Sequence, residues 1–228
     1  PPSLSGGAPL AAYVDLPRGE EPLTLAPLDA EAPGLALGTA QGIVKRVSVD
    51  YPARPDFELI GLKDGDRVVG AAPVPTEDRD LVFVTSDAQL LRFPAAAVRP
   101  QGRPAGGMAG VKLDPGQSVV WFGVVDPTAD PVVVTSSGSS GALPGTEPGS
   151  LKVTPYAEYP AKGRATAGVR CHRFLKGEDT LVLAWVGGTP AKASGANGVA
   201  VELPPATGRR DGSGTPAASV IARIAGPS

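Results

Sequence analysis

The adjacent pair Cys171-His172 contains the only cysteine and the only histidine in this 228-residue chain. A zinc site normally needs three or four such ligands, so none can be built here. A Ser–His or Cys–His nucleophile would have to use His172, which stands in a basic, strand-like stretch with no acidic neighbour to orient its ring. The plainer reading is a strand histidine beside a buried thiol. The chain has no GxxxxGK[ST] loop and no GxGxxG leading from a strand into a helix, so nothing suggests nucleotide binding. The residues that remain for chemistry are arginines and lysines, which recur beside glycine and can neutralise an anion.

The elements that carry these cations repeat. A glycine turn before a strand occurs at Gly19, Gly65, Gly116 and Gly177, with spacings of 46, 51 and 61 residues. The strands that follow are Leu23–Leu25, Arg67–Val69, Ser118–Trp121 and Thr180–Leu183. Leu81–Ser86 matches Val132–Ser136, which sets Thr85 against Thr135, and Leu35–Thr39 is a weaker copy. Basic strands come next at Ile43–Val47, Leu90–Phe93 and Leu151–Thr154. Gly-Arg loops at 102–107, 163–168 and 208–212 lead into strands at 111–113, 169–174 and 219–224.

One unit is thus strand, turn, basic strand, Gly-Arg loop, strand, glycine turn, strand. Four strands in about 50 residues is the size of a propeller blade. The expected units are 1–33 (a half), 34–79, 80–130, 131–189 and 190–228 (a half), and the two halves can pair to close a ring. Residues 138–150 read as an inserted hairpin tip or a flexible loop, and Pro94–Val98 as a single helical turn. The chain has 30 Gly and 26 Pro among plentiful aliphatics, which suits short strands and tight turns better than disorder. No apolar run approaches the ~18–20 residues that span a bilayer. The lone cysteine excludes an internal disulfide and suits a reducing cytoplasm.

The net charge of −2 does not advertise a polyanion partner, but its distribution is uneven. Residues 1–33 are net −4, residues 88–112 net +4 and residues 151–176 net +5. In the two basic stretches the positives fall on the second strand, the Gly-Arg loop and the strand after it. Units related by rotation would line them up as a belt suited to a phosphate backbone. Solvation of an outer strand is the alternative reading of the same charges.

Three stretches, Gly42–Arg46, Val98–Arg103 with Gly110–Leu113, and Tyr159–Arg170, resemble the C-terminal domain of the A subunit of bacterial type IIA DNA topoisomerases, gyrase and topoisomerase IV. The similarity recurs in order over roughly residues 8–225. It implies an all-β fold, a propeller-like β-pinwheel of about four to five four-stranded blades with exchanged strands; the starting half-unit leaves a cut N-terminal edge open as the alternative to a closed ring. It also implies a non-catalytic domain that bends or wraps double-stranded DNA on a basic rim, without sequence specificity. The domain would hand that segment to the breakage–reunion core of its own subunit, which works with an ATPase B subunit. The catalytic tyrosine would lie outside this chain, leaving Tyr13, Tyr51, Tyr156 and Tyr159 as packing or loop residues. No cofactor is expected in the domain, no membrane partner, and a cytoplasmic, nucleoid-associated location.

The expected DNA contacts are Lys45, Arg46, Arg92, Arg99, Arg103, Lys112, Lys152, Lys162, Arg164, Arg170 and Arg173, acting by phosphate neutralisation. For Arg46, Arg103 and Arg164 a second role is open, as guanidinium bridges between blades through carbonyl groups. Gyrase A subunits carry a basic, glycine-rich box, and its nearest counterpart, Gln101–Met108, departs from that pattern. A topoisomerase IV-like enzyme that decatenates and relaxes is therefore favoured over a strong supercoiler. A protein-interaction propeller is the alternative function. Trp121 and Trp185 read as core residues.

Overall fold

A computed structural model describes residues 9–17, 19–27, 34–54, 56–143 and 145–227. The expected half-unit over 1–33, with Arg18, Asp29 and Glu31, lies partly outside the described residues. Within them the chain forms strands and three short 3-10 turns, one of which, Ala95–Ala97, falls where a helical turn was expected.

The strands are β1 (Gly34–Thr39), β2 (Ile43–Val47), β3 (Val68–Val74), β4 (Asp80–Thr85), β5 (Gln89–Pro94), β6 (Pro100–Gln101), β7 (Met108–Ala109) and β8 (Val119–Val125). They continue as β9 (Val132–Gly138), β10 (Ser150–Pro155), β11 (Val169–Arg170), β12 (Thr180–Gly187), β13 (Lys192–Ser194), β14 (Ala200–Val201), β15 (Thr215–Pro216) and β16 (Arg223–Ala225). They make four sheets in the orders β3-β1-β2-β6, β8-β4-β5-β11, β12-β9-β10-β15 and β14-β13-β16, with β7 also on β2. The strand after each Gly-Arg loop pairs with the preceding unit: β7 joins β2, β11 joins β5 and β15 joins β10. The fold is a β-pinwheel in which each of these units completes its neighbour's sheet.

The apolar runs follow from blade stacking. In β4 every residue is buried. Leu81 and Phe83 pack with Ala36, Val44 and Phe122 on one face. Val82 and Val84 pack with Val133, Tyr156 and Leu181 on the other. A strand covered on both faces shows no polar alternation. Burying one such phenylalanine contributes about 2–3 kcal/mol. Tyr156 and Tyr159 are core residues, as expected, and the partly buried Trp121 and Trp185 pack against the same aliphatic clusters.

A bulge recurs in the first three sheets, with Val69, Val120 and Val182 as the extra, unpaired residue. Beside it a hydroxyl caps the hairpin: Thr39 accepts the Ile43 amide at 3.1 Å, Thr85 that of Gln89 at 3.1 Å, and Ser137 that of Ser150 at 3.0 Å. This corrects the sequence alignment, because Thr85 matches Ser137 and not Thr135. The described residues of 139–149 form a hairpin tip, one of the two forms expected there, tied down where Ser140 donates to Asp179 from its amide (2.7 Å) and its hydroxyl (2.6 Å).

Two further expectations are corrected. The strands foreseen after the Gly-Arg loops at 111–113 and 219–224 lie instead at 108–109 and 215–216, and that foreseen at 169–174 shortens to 169–170. After β7 the chain leaves the ladder, and the Lys112 amide bonds the Thr166 carbonyl of the next loop at 3.0 Å. Leu23–Leu25 forms no strand, and the fourth sheet is completed by β16 from its own unit. Pro17, Pro22 and Pro27 punctuate that N-terminal stretch and have no amide to give a ladder.

Candidate nucleic-acid interface

Strands β3, β8 and β12 lie against one another on the inner side of the blades. The sheet orders therefore put β7, β11 and β15, each fed by a Gly-Arg loop, at the outer rim. Gly107 and Gly168 turn the chain onto that edge at φ of 83° and 85°, in the left-handed region that glycine tolerates best. The loops also touch in series. The Ala165 amide bonds the Gly110 carbonyl at 2.7 Å, and the Arg173 amide bonds that of Gly212 at 3.0 Å. Lys112 and Arg173 thus hold equivalent positions, each at the junction with the following loop.

The eleven expected contacts divide into three groups. Arg99, Lys112, Lys162, Arg170 and Arg173 are exposed. Among the described residues none of the five forms an ion pair, and only Lys162 has a side-chain hydrogen bond, a long one of 3.3 Å to the Gly168 carbonyl. These cations can meet an external anion at little desolvation cost.

Arg46, Arg92, Arg103 and Arg164 have internal partners. Arg46 on the first sheet reaches the second unit, donating to the Ala95 and Val98 carbonyls at 3.1 Å and to Glu77 at 3.0 Å. Arg164 donates to the Ala109 carbonyl, and Arg103 to that of Asp50 at 3.2 Å while lying over Phe57. The bridging role left open for these three is the one they adopt. Arg92 donates to the Tyr159 carbonyl and to Asp80, both at 2.7 Å, and sits over the Tyr156 ring. Arg46 and Arg92 are corrected from DNA contacts to internal struts, while Arg103 and Arg164 remain half-exposed at the rim.

Lys45 and Lys152 are corrected outright, being 0% and 2% exposed. Sequence reasoning placed them on an outer strand, but the Gly-Arg loop of the following unit covers that strand. Burial holds the Lys45 ammonium below its ordinary pKa and lowers that of Lys152 to about 8.

Arg209 was not among the expected contacts. It is exposed in the loop matching those of Arg103 and Arg164, and the Gly208-Arg209 pair was the signal for it. Cys171 and His172 are inert. The thiol is fully buried and pushed up to about 12. The His172 ring is pinned by Thr135 at 2.8 Å and Ser150 at 3.0 Å, and desolvation holds it neutral with a pKa of about 4. No cluster of metal-ligating side chains occurs among the described residues. An open crevice of about 850 Å³ is lined by four carboxylates, Asp15, Glu20, Asp56 and Glu58, and two arginines, Arg54 and Arg103, so acids outnumber bases on that flank of the first blade.

The family model for the DNA gyrase C-terminal domain, a β-propeller, matches residues 58–75, 79–126 and 145–183. The gyrase A protein of Staphylococcus epidermidis is 29% identical over 184 residues, covering 78% of this chain and 20% of that protein. Topoisomerase subunit TopoM of Mycolicibacterium smegmatis is 38% identical over 141 residues, covering 61% of this chain and 17% of its own length. The chain thus spans about a fifth of the length of the curated relatives it matches. The crystal structure of the C-terminal domain of DNA topoisomerase IV superposes with a TM-score of 0.76 at 18% identity, covering 96% of this chain and 69% of the other.

Proposed function

Given that the chain belongs to the C-terminal domains of type IIA DNA topoisomerase A subunits, we propose that it binds duplex DNA through the phosphate backbone and bends it along the blade rim. The observation that carries this reading is one pair of exposed cations at repeat-equivalent rim positions, Lys112 and Arg173, neither in an ion pair among the described residues. Arg99, Lys162, Arg170 and Arg209 extend the same edge. Cations at repeated spacing on a curved edge follow a phosphate backbone without reading bases. The chemistry required is charge neutralisation alone, which fits the inert Cys171 and His172.

In the full subunit the bound segment would be presented to the breakage–reunion core for strand passage driven by the ATPase B subunit, in the cytoplasm at the nucleoid. The departures of Gln101–Met108 from a basic glycine-rich box favour decatenation and relaxation over strong negative supercoiling. A protein-docking face is the second reading, favoured by exposed Tyr13, Val14, Leu23 and Leu25 near the same crevice.

Binding of the domain to duplexes of one turn and of several turns across a salt series tests the proposal. Preference for long duplexes, lost when Lys112, Lys162, Arg170 and Arg173 are all changed to Glu in a still-folded protein, supports rim bending. Weak binding at every length, unchanged in that variant, refutes it.

A further inference from the structure

Lys45, Leu91 and Lys152 stand at one register position, each two residues past the amide that caps its hairpin. Lys45 Nζ shares its three N–H groups among four carbonyls, those of Leu59 (2.8 Å), Gly102 (2.8 Å), Arg103 (2.7 Å) and Ala105 (2.6 Å). Three of the four belong to the following unit's Gly-Arg loop. Lys152 Nζ repeats the arrangement, bonding the Arg210 carbonyl in the next loop and that of Cys171 at 2.9 Å. No carboxylate pairs with either ammonium among the described residues.

A buried ammonium without a counter-ion is a costly way to fill a core. Leu91 shows that a blade can close with an alkyl side chain at this position. Its facing loop, 163–168, is held by other means: the Lys162 amide on the Arg92 carbonyl at 3.0 Å and the Thr166 hydroxyl on the Gly163 carbonyl at 2.9 Å. The lysines therefore serve the loops above them. Drawing the Gly102 and Ala105 carbonyls inward turns the amides of Arg103 and Gly106 the opposite way, because each peptide group is planar and trans. Neither amide donates a hydrogen bond among the described residues, which leaves both available to an outside acceptor.

We propose that Lys45 and Lys152 are positioning residues, which clamp successive Gly-Arg loops from inside so that the loops present main-chain amides and arginine to backbone phosphates. The two ammonium groups themselves never touch the DNA. The proposal rests on the DNA-binding reading above, but its first readout needs no DNA.

The test uses Lys45→Leu and Lys152→Leu in the whole 228-residue chain, the replacement being the residue already present at position 91. Amide hydrogen exchange should accelerate at least tenfold at Ala105, whose amide bonds the Gly102 carbonyl, for Lys45→Leu and at Gly212, whose amide bonds the Arg209 carbonyl, for Lys152→Leu, with Ala165 unchanged in both. Affinity for a duplex of several turns should fall about tenfold. The slope of log affinity against log salt should move by less than the ~0.9 lost when a direct phosphate contact is removed. Unchanged exchange in the clamped loops overturns the clamp. Accelerated exchange with wild-type affinity overturns the positioning role and leaves DNA binding standing. A wild-type chain that ignores DNA refutes the DNA reading and the phosphate-presenting role with it, while exchange still reports separately on the clamp. Should either variant fail to fold, the other applies the same criteria on a different blade.

Discussion

The Arg92 guanidinium lies 2.7 Å from the Asp80 carboxylate, with 18% of the arginine and 7% of the aspartate side chain exposed. Tyr156 donates to the same carboxylate oxygen at 2.8 Å, so one buried anion holds a strut of the second sheet and a core residue from the third unit. Removing one partner of a buried pair leaves an uncompensated charge. Asp80→Ala should cost about 3–5 kcal/mol in urea unfolding. A loss below 1 kcal/mol would mean that the pair is effectively solvated.

Counterion release turns the division of the cations into numbers. Six exposed contacts, Arg209 included, predict a slope of about −5 to −6 for log affinity against log salt, and the eleven expected from the sequence would give about −10. Lys112→Ala should lower the magnitude of the slope by about 0.9. Arg46→Ala should weaken folding and leave the slope in place. Equal slope changes in the two variants would show that Arg46 swings out to a phosphate.

The repeat, the all-β character and the glycine turns were legible because they are local signals. Gly65, Gly116 and Gly177 do adopt φ of 71°, 79° and 91°. Which cations face outward was not legible. Arg46 and Arg92 sit on basic strands just as the eye expects of surface residues, but the loop that covers such a strand comes from the next unit, dozens of residues later. Sequence spacing cannot show that crossover. The Thr85–Thr135 match failed for a related reason: the hairpin is set by which hydroxyl caps it, and Ser137 resembles its neighbour Ser136 in composition but not in position.

His172 gives the domain an acid limit. Its pKa is about 4 in the fold against 6.5 ordinarily, with desolvation the main cause. Below pH 6.5 the unfolded chain takes up a proton that the folded chain refuses. Stability is therefore complete above pH 6.5 and falls as pH drops towards 4. The lowering corresponds to about 3 kcal/mol. Urea titrations at pH 7 and pH 4.5 should differ by about 2–3 kcal/mol from this group, and His172→Gln should flatten that difference. An unchanged pH dependence in the variant would assign the acid lability to the carboxylates.

Strand exchange depends on two glycines more than on any cation. A Cβ at Gly168 would lie 2.4 Å from the Leu90 carbonyl oxygen, and one at Gly107 would lie 2.7 Å from that of Val44. Both obstacles are backbone of the preceding unit and cannot rotate aside. Gly116 shares the positive φ, at 79°, but a Cβ there meets nothing within 4 Å. Gly116→Ala should thus cost only the left-handed penalty of about 1–2 kcal/mol. Gly168→Ala should add the clash, for about 3 kcal/mol or more, because β11 must lift from β5 to relieve it. Hydrogen exchange separates the cases: the Gly168 variant should lose protection along Gln89–Leu90, and the Gly116 variant should not. Equal costs with protection retained would mean that β11 is not a closing strand of the second blade, and the rim of cations it supports would have to be redrawn.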